Sequence, residues 1–241
     1  MTDTDSGVWV VTGGSRGFGR AVAAQAAAAG ARVAIVARGE EVSAVAAEIG
    51  GEAVGLVADV RSADSVDAAM REVAARWGGI DVLVNNAGLH RGGLVEQIDA
   101  DDWSEVLATN LSGPFQTIRA ALPHMQSGGS IVNVGAVVGF RGFAGDAAYG
   151  TSKAGLAGLT QVLAVELARR GIRANLVVPG FVSTDMTAAI SERARDRLLE
   201  RIPLGREGTA EEIAEVIRWV ARSTYMTGSV IATDGGLMCS L

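Results

Sequence analysis

Residues 8–19 read VWVVTGGSRGFG, and the alanine-rich stretch RAVAAQAAAAG follows at 20–30. Three valines around one tryptophan suit a buried strand, and the alanines after Gly19 suit a helix. The pattern predicts a strand over Val8–Val11 and a helix over Gly17–Ala29. Glycines between the two permit a tight turn and close approach of backbone N–H groups to a phosphate, while the helix N-terminus adds partial positive charge. A glycine-rich turn is also an ordinary way to start a helix. Its place after the first strand of a longer βα series is what favours dinucleotide binding.

That series continues at near-constant spacing. Further strands are expected at Arg32–Val36, Ala53–Ala58, Ile80–Val84, Ser130–Val134, Ile172–Val178 and Ser229–Thr233. Helices are expected at Glu40–Ile49, Ser62–Trp77, Asp102–His124, Ala148–Arg170 and Glu211–Ala221, with Gly113-Pro114 bending the long third one. Strands alternating with helices imply a parallel sheet. The fold class expected is α/β: a single Rossmann-type doubly wound domain over residues 1–241, its seven-stranded parallel sheet flanked by helices. Residues 183–208 break the rhythm with a long segment rich in arginine and glutamate, containing Leu198-Leu199 and Pro203. Such excursions are often lids or binding loops, so a substrate lid is expected there; a solvated helical insertion is the alternative.

Composition narrows the function classes. The 241 residues are 49% hydrophobic but only 5% aromatic, so alanine, valine and leucine must build the core. A net charge of −6 argues against sequence-independent binding of nucleic acid. Arg32 and Arg38 interrupt the most apolar early region, which excludes a membrane-spanning run there. The start, MTDTDSG, lacks the basic and apolar regions of a secretory signal, and the single Cys239 suits a reducing compartment; a cytoplasmic location is expected. No metal site is expected.

Chemistry concentrates in residues 130–153, SIVNVGAVVGFRGFAGDAAYGTSK. Lys153 is the only lysine in the chain, and it follows Tyr149, one of two tyrosines, by four residues. Arginine is the basic residue everywhere else, so this position requires a compact ammonium rather than a planar guanidinium. On a helix the i,i+4 spacing places both side chains on one face, as an acid/base pair needs. Cofactor choice is expected at the end of the second strand, where an acidic residue usually holds a ribose 2′-hydroxyl and arginine a 2′-phosphate. Ala37-Arg38 stands there, with Arg16 in the glycine turn, which favours NADPH over NADH; Glu40 and Glu41 nearby weaken the case.

With these pieces placed, the chain resembles the classical short-chain dehydrogenase/reductases, particularly the 3-oxoacyl-carrier-protein reductases and polyketide ketoreductases. The resemblance rests on TGGSRGFG at 12–19, Asp59-Val60, Asn85-Asn86-Ala87-Gly88 and Asn110. It continues through YGTSK at 149–153, Pro179-Gly180 with Thr184, Thr227-Gly228 and Asp234-Gly235-Gly236. It implies that Tyr149 is the general acid in carbonyl reduction. Lys153 would acidify the phenol and bind the nicotinamide ribose, and Asn110 would anchor a proton-relaying water. Asn110 is otherwise a helix kink beside Gly113-Pro114. The resemblance implies a cofactor site made of Gly13, Ser15, Arg16, Gly17, Phe18, Gly19 and Arg38. Asp59 at the adenine, Val60, Asn86, Ala87, Gly88, Tyr149, Lys153, Pro179, Gly180, Val182 and Thr184 would complete it.

One position departs from the family. A serine that hydrogen-bonds the substrate carbonyl is expected thirteen residues before the tyrosine, and Ala136 stands there. Losing one donor to a developing oxyanion costs about 10²–10³ in rate. The open explanations are an engineered substitution that traps substrate, a natural alanine compensated by a substrate group, a water or Asn133, and a catalytically silent NADPH- and ligand-binding protein. The pocket is expected to include Val137, Val138, Phe140, Phe143 and Met186, whose apolar side chains suit an acyl chain or a polyketide. The resemblance also implies a homotetramer paired through helices 102–124 and 148–170 and through the carboxyl-terminal strand region. It further implies docking of an acyl carrier protein on Arg170, flanked by Arg169 and Arg173. The family's second docking arginine is replaced at Ser127 and Gly128.

Overall fold

The computed structural model describes residues 6–184 and 191–239. Seven parallel strands form one sheet in the order β3-β2-β1-β4-β5-β6-β7. They are β1 Val8–Thr12, β2 Arg32–Ala37, β3 Glu52–Val57, β4 Ile80–Asn85, β5 Met125–Val134, β6 Arg173–Pro179 and β7 Val230–Thr233. The strand order reverses between β1 and β4, which opens a crevice beyond their carboxyl ends.

Successive side chains on a strand point to opposite faces, and β1 shows how this builds two cores. Trp9 and Val11 face α1 (Gly17–Ala28), α2 (Val42–Ile49) and α8 (Ala210–Arg222), packing with Val22, Ala26, Ile213 and Ile217. Val8 and Val10 face the other layer, α3 (Ala63–Trp77), α5 (Gly113–Ala121) and α6 (Ala147–Leu167), packing with Met70, Ile118 and Leu163. Burying each such aliphatic side chain contributes about 1.5–3 kcal/mol. The small alanines of α1 let it lie close against α8, whose own start is fixed by a capping box between Thr209 and Glu212.

The long helix expected over 102–124 is not continuous. It is α4 (Ala100–Leu107), a π turn over Ala108–Ser112, then α5 and a 3₁₀ turn at Leu122–His124. The cause is Pro114, which has no N–H for the Asn110 carbonyl four residues back, so the ladder opens one turn before the proline. Strand β5 is longer than expected because Met125 already pairs with Ile80, and the register slips before Val82 meets Ser130. In the segment 183–208, α7 (Glu192–Leu199) packs Leu198 and Leu199 against a cluster containing Phe181, Ile202 and Leu237.

A buried polar chain ties the sheet to α5 and α6. Asn85 donates to Asn133 at 2.9 Å, Asn133 donates to Thr160 at 2.9 Å, and Thr160 donates to the Leu156 carbonyl at 2.7 Å. From α5, the Thr117 hydroxyl donates to the side-chain amide oxygen Oδ1 of Asn85. Every member of the chain is buried, so a missing partner leaves a polar group dry. Thr160→Val strips Asn133 of its acceptor, and urea denaturation is expected to show a loss of about 1–3 kcal/mol.

Candidate active site

The crevice between β1 and β4 is a cleft of about 420 Å³. One wall is the glycine turn: Gly13, Ser15, Arg16, Gly17 and Phe18 line it. The turn lies against the end of β4 because the Thr12 hydroxyl accepts the N–H groups of Asn86 and Ala87, each at 3.1 Å, and donates to the Val84 carbonyl at 3.3 Å. The Asn86 amide donates to the carbonyls of Thr12 and Gly13 at 3.1 and 3.0 Å. A methyl on Gly13 would meet the Ala87 Cα at 2.7 Å, and its φ of +64° disfavours any side chain. Gly19 does not line the cleft; its missing side chain makes room for the Asn86 amide and the Gly13 carbonyl.

Arg38 lines the cleft at the end of β2 together with Ala37, Gly39 and Glu41. Arg16 approaches from the turn, and both guanidiniums are exposed. Val60, Asn86, Ala87 and Gly88 continue the lining, and Pro179, Gly180, Val182 and Thr184 close the far side. Asp59 does not belong to this lining. Its carboxylate accepts from Arg61, at 2.7 Å to Nη2 and 3.0–3.1 Å to Nε, and that hydrogen bonding holds it below the usual carboxylate range against the opposing effect of burial. Arg61, two residues away, therefore engages the group assigned to adenine.

Tyr149 and Lys153 project from the first turns of α6 into the inner end of the cleft, beside Ala136. The Lys153 ammonium lies 5.6 Å from the Tyr149 ring centroid and donates to the Val134 carbonyl at 2.8 Å. Lys153 is buried, and burial lowers it to about 8. Burial, and then the Asp146 charge, push Tyr149 up to about 12. The Lys153 ammonium therefore does not by itself offset the burial of the phenol.

Asn110 sits in the π turn, fully buried. Its amide donates to the Leu89 carbonyl at 2.9 Å and to Ser152 Oγ at 3.1 Å, and its oxygen accepts the Leu89 N–H at 2.9 Å. It therefore fastens the loop after β4 to α6. Ala136 has extended backbone and precedes a 3₁₀ turn, Val137–Gly139. The polar side chains nearest in sequence are engaged elsewhere or buried in the core. Asn133 is engaged in the buried chain, Ser130 lies inside the core, and Ser152 donates to the Tyr149 carbonyl at 2.7 Å.

The expected substrate residues do not form one pocket. Val137 is buried in a core cluster with Leu156 and Leu176, and Phe140 is exposed. Val138 and Phe143 line a second cavity of about 560 Å³ between the loop after β4 and the start of α6. Met186 lies outside the described residues. The docking arginines are also partly reassigned. Arg173 donates to the carbonyls of Val220, Ala221 and Ser223 and so closes the end of α8, while Arg170 donates to Leu122 at 2.7 Å.

A family model described as Enoyl-(Acyl carrier protein) reductase matches residues 13–238. The chain belongs to the short-chain dehydrogenase/reductase family. It is 44% identical over 239 residues to the 3-oxoacyl-(acyl-carrier-protein) reductase FabG of Aquifex aeolicus, covering 95% of this chain and 96% of the relative. It is 43% identical to a human 3-oxoacyl-(acyl-carrier-protein) reductase over 97% of this chain and 99% of that one. A dehydrogenase/reductase from Sinorhizobium meliloti superposes with a TM-score of 0.92 at 39% identity, covering 97% of each chain. A blue fluorescent protein from a metagenomic library, solved in complex with NADPH, gives 0.90 at 36% identity, covering 95% of this chain and 97% of that one.

The lining fits a dinucleotide on observations of this molecule. Gly13 leaves a cradle that a methyl group would fill, two guanidiniums stand at one end, and Thr109 presents a buried hydroxyl with no partner among the described residues. Thr109 was not among the residues singled out in the sequence. Its signal is a polar residue at a core position, directly before Asn110. Thr109→Val is expected to weaken NADPH binding about 3–10-fold by calorimetry, with an unchanged or higher melting temperature because the orphaned hydroxyl is gone.

Proposed function

We propose that the protein reduces a ketone, of the 3-oxoacyl thioester or polyketide type, to a secondary alcohol with NADPH. The observation that carries this reading is the convergence of Tyr149, Lys153 and Ala136 at the inner end of a cleft whose outer end presents Arg16 and Arg38. NADPH, when bound, supplies the hydride. Gly13, Ser15 and Gly17 would hold its pyrophosphate on the N-terminus of α1, and Arg16 with Arg38 would hold the 2′-phosphate. The relatives' names support a 3-oxoacyl substrate, and the NADPH complex of a structural neighbour supports the cofactor.

The chain's own residues then have distinct tasks. The Tyr149 O–H donates its proton to the carbonyl oxygen as that oxygen gains negative charge. The Lys153 ammonium favours the resulting phenolate, which is why a buried ammonium is kept there. Ala136 offers no hydrogen bond, so the oxyanion is held by the phenol alone and turnover is slowed. The second cavity, with Val138 and Phe143, would receive the apolar part of the substrate. A homotetramer fits the exposed Phe115 of α5 with Val162 and Val165 of α6, and Trp219, Tyr225 and Val230 beside β7. No helix among the described residues is long and apolar enough to cross a membrane, and we place the protein in the cytoplasm.

The test follows NADPH consumption with 3-oxoacyl thioesters and cyclic ketones, for the native chain and Ala136→Ser. The serine is expected to raise kcat by ~100-fold without changing NADPH affinity. Reduction needs Tyr149 protonated, which holds throughout the working range, and Lys153 charged. The rate should therefore be flat below about pH 7 and fall as pH rises through the Lys153 value of about 8. NADPH binding without turnover in either chain would instead establish a silent binding protein.

A further inference from the structure

Asp146 occupies the N-cap position of α6, where an aspartate ordinarily accepts a backbone N–H of the first turn, yet its side chain makes no such bond. The carboxylate faces His90 instead, Nε2 to Oδ1 at 2.6 Å, across 56 residues of sequence. The His90 ring then meets the Tyr149 ring edge-on, with centroids 5.2 Å apart and planes at 80°. His90 thus touches both the general acid and the nearest carboxylate to it.

Holding the loop does not account for this pair. Two other tethers already fasten the loop to α6: the Gly93 N–H donates to the Gly145 carbonyl at 2.9 Å, and Asn110 grips Leu89 on both sides. When Tyr149 gives its proton to the substrate oxygen, the phenol O–H bond breaks, an O–H bond forms on the product, and a phenolate remains. An unpaired Asp146 carboxylate opposes that phenolate, and it contributes to the raised Tyr149 value.

We propose that His90 is a positioning residue of the site: its imidazolium, held on Asp146, offsets that carboxylate's field at the Tyr149 phenol and lets the proton leave. The inference rests on the reductase reading above. The charged and titratable groups around His90 are Asp146 and Tyr149, with Lys153 also against the tyrosine ring. Arg91, next in the chain, is turned toward Asp102 and Glu105 of α4. With the serine hydroxyl missing at Ala136, Tyr149 alone stabilises the oxyanion, so its readiness to lose a proton matters more. Both members of the pair are partly exposed, at 38% and 22% for the side chains, so solvent moderates the effect.

The experiment is a double-mutant cycle on kcat and KM, using His90→Gln, Asp146→Asn and the double variant, with NADPH and a 3-oxoacyl thioester. Glutamine keeps a donor to Asp146 and a similar shape but never carries charge. His90→Gln should lower kcat about tenfold, the equivalent of one pK unit, with KM unchanged. In the Asp146→Asn background the same change should cost less than about threefold. Equal losses in both backgrounds, or a loss carried by KM rather than kcat, would reduce the pair to a loop fastening and overturn the inference. The cycle is also run in the Ala136→Ser chain, with melting temperature and NADPH affinity confirming each fold. Turnover without coupling sinks the role of His90 alone; NADPH binding with no turnover in either background sinks the reductase reading and this inference with it.

Discussion

One ammonium held away from water is the constraint on which the site depends. Lys153 is 4% exposed, and the hydrogen bond its Nζ makes goes to the Val134 carbonyl at the end of β5. Burying a cation costs several kcal/mol unless other groups meet it, which explains its lowering to about 8. An arginine would bring five donors to a space that offers one carbonyl, and it would resist losing its charge. Around this group the chain arranges β5, the opening turns of α6, and the π turn that brings Asn110 near Gly88. The single lysine among 21 basic residues is the sequence's record of that arrangement.

The fold was legible because its cause is periodic. Each apolar run became a strand and each amphipathic run a helix, since alternation on β1 alone feeds both layers. The discontinuity at residues 108–112 was also written in the chain, as a proline four residues after Asn110, although a bend was expected at Gly113-Pro114 itself. The glycine turn, Arg38, Tyr149 and Lys153 could be read because each belongs to a local pattern. Asp59 illustrates the limit of such reading: the aspartate stands where the family places it, but Arg61 two residues on takes both carboxylate oxygens. Similarly, the arginines near β6 resemble a docking patch in sequence, while Arg173 closes the end of α8.

What sequence could not reveal is contact between distant segments. His90 and Asp146 carry no local signature, and only the approach of the loop after β4 to α6 brings them to 2.6 Å. The buried chain from Asn85 through Asn133 to Thr160 is of the same kind, joining β4, β5 and α6. It also engages Asn133, so that side chain is not free to stand in for a serine hydroxyl at Ala136. The site that results has an intact acid and an intact cation, a carboxylate placed against the acid, and an imidazole placed against the carboxylate. On the proposed reading, its chemistry would depend on those neighbouring charges more than on a second hydrogen bond.

The central claim is that Tyr149 protonates a carbonyl oxygen while the carbonyl carbon is reduced. NADPH labelled with deuterium at the transferred position, incubated with a 3-oxoacyl thioester, tests it directly by NMR of the product. Deuterium is expected on the carbinol carbon of a 3-hydroxyacyl product from the native chain, with loss of that product in Tyr149→Phe at unchanged NADPH affinity. Label on a saturated chain carbon of a fully reduced acyl product, or a Tyr149→Phe chain as fast as the native one, would contradict it.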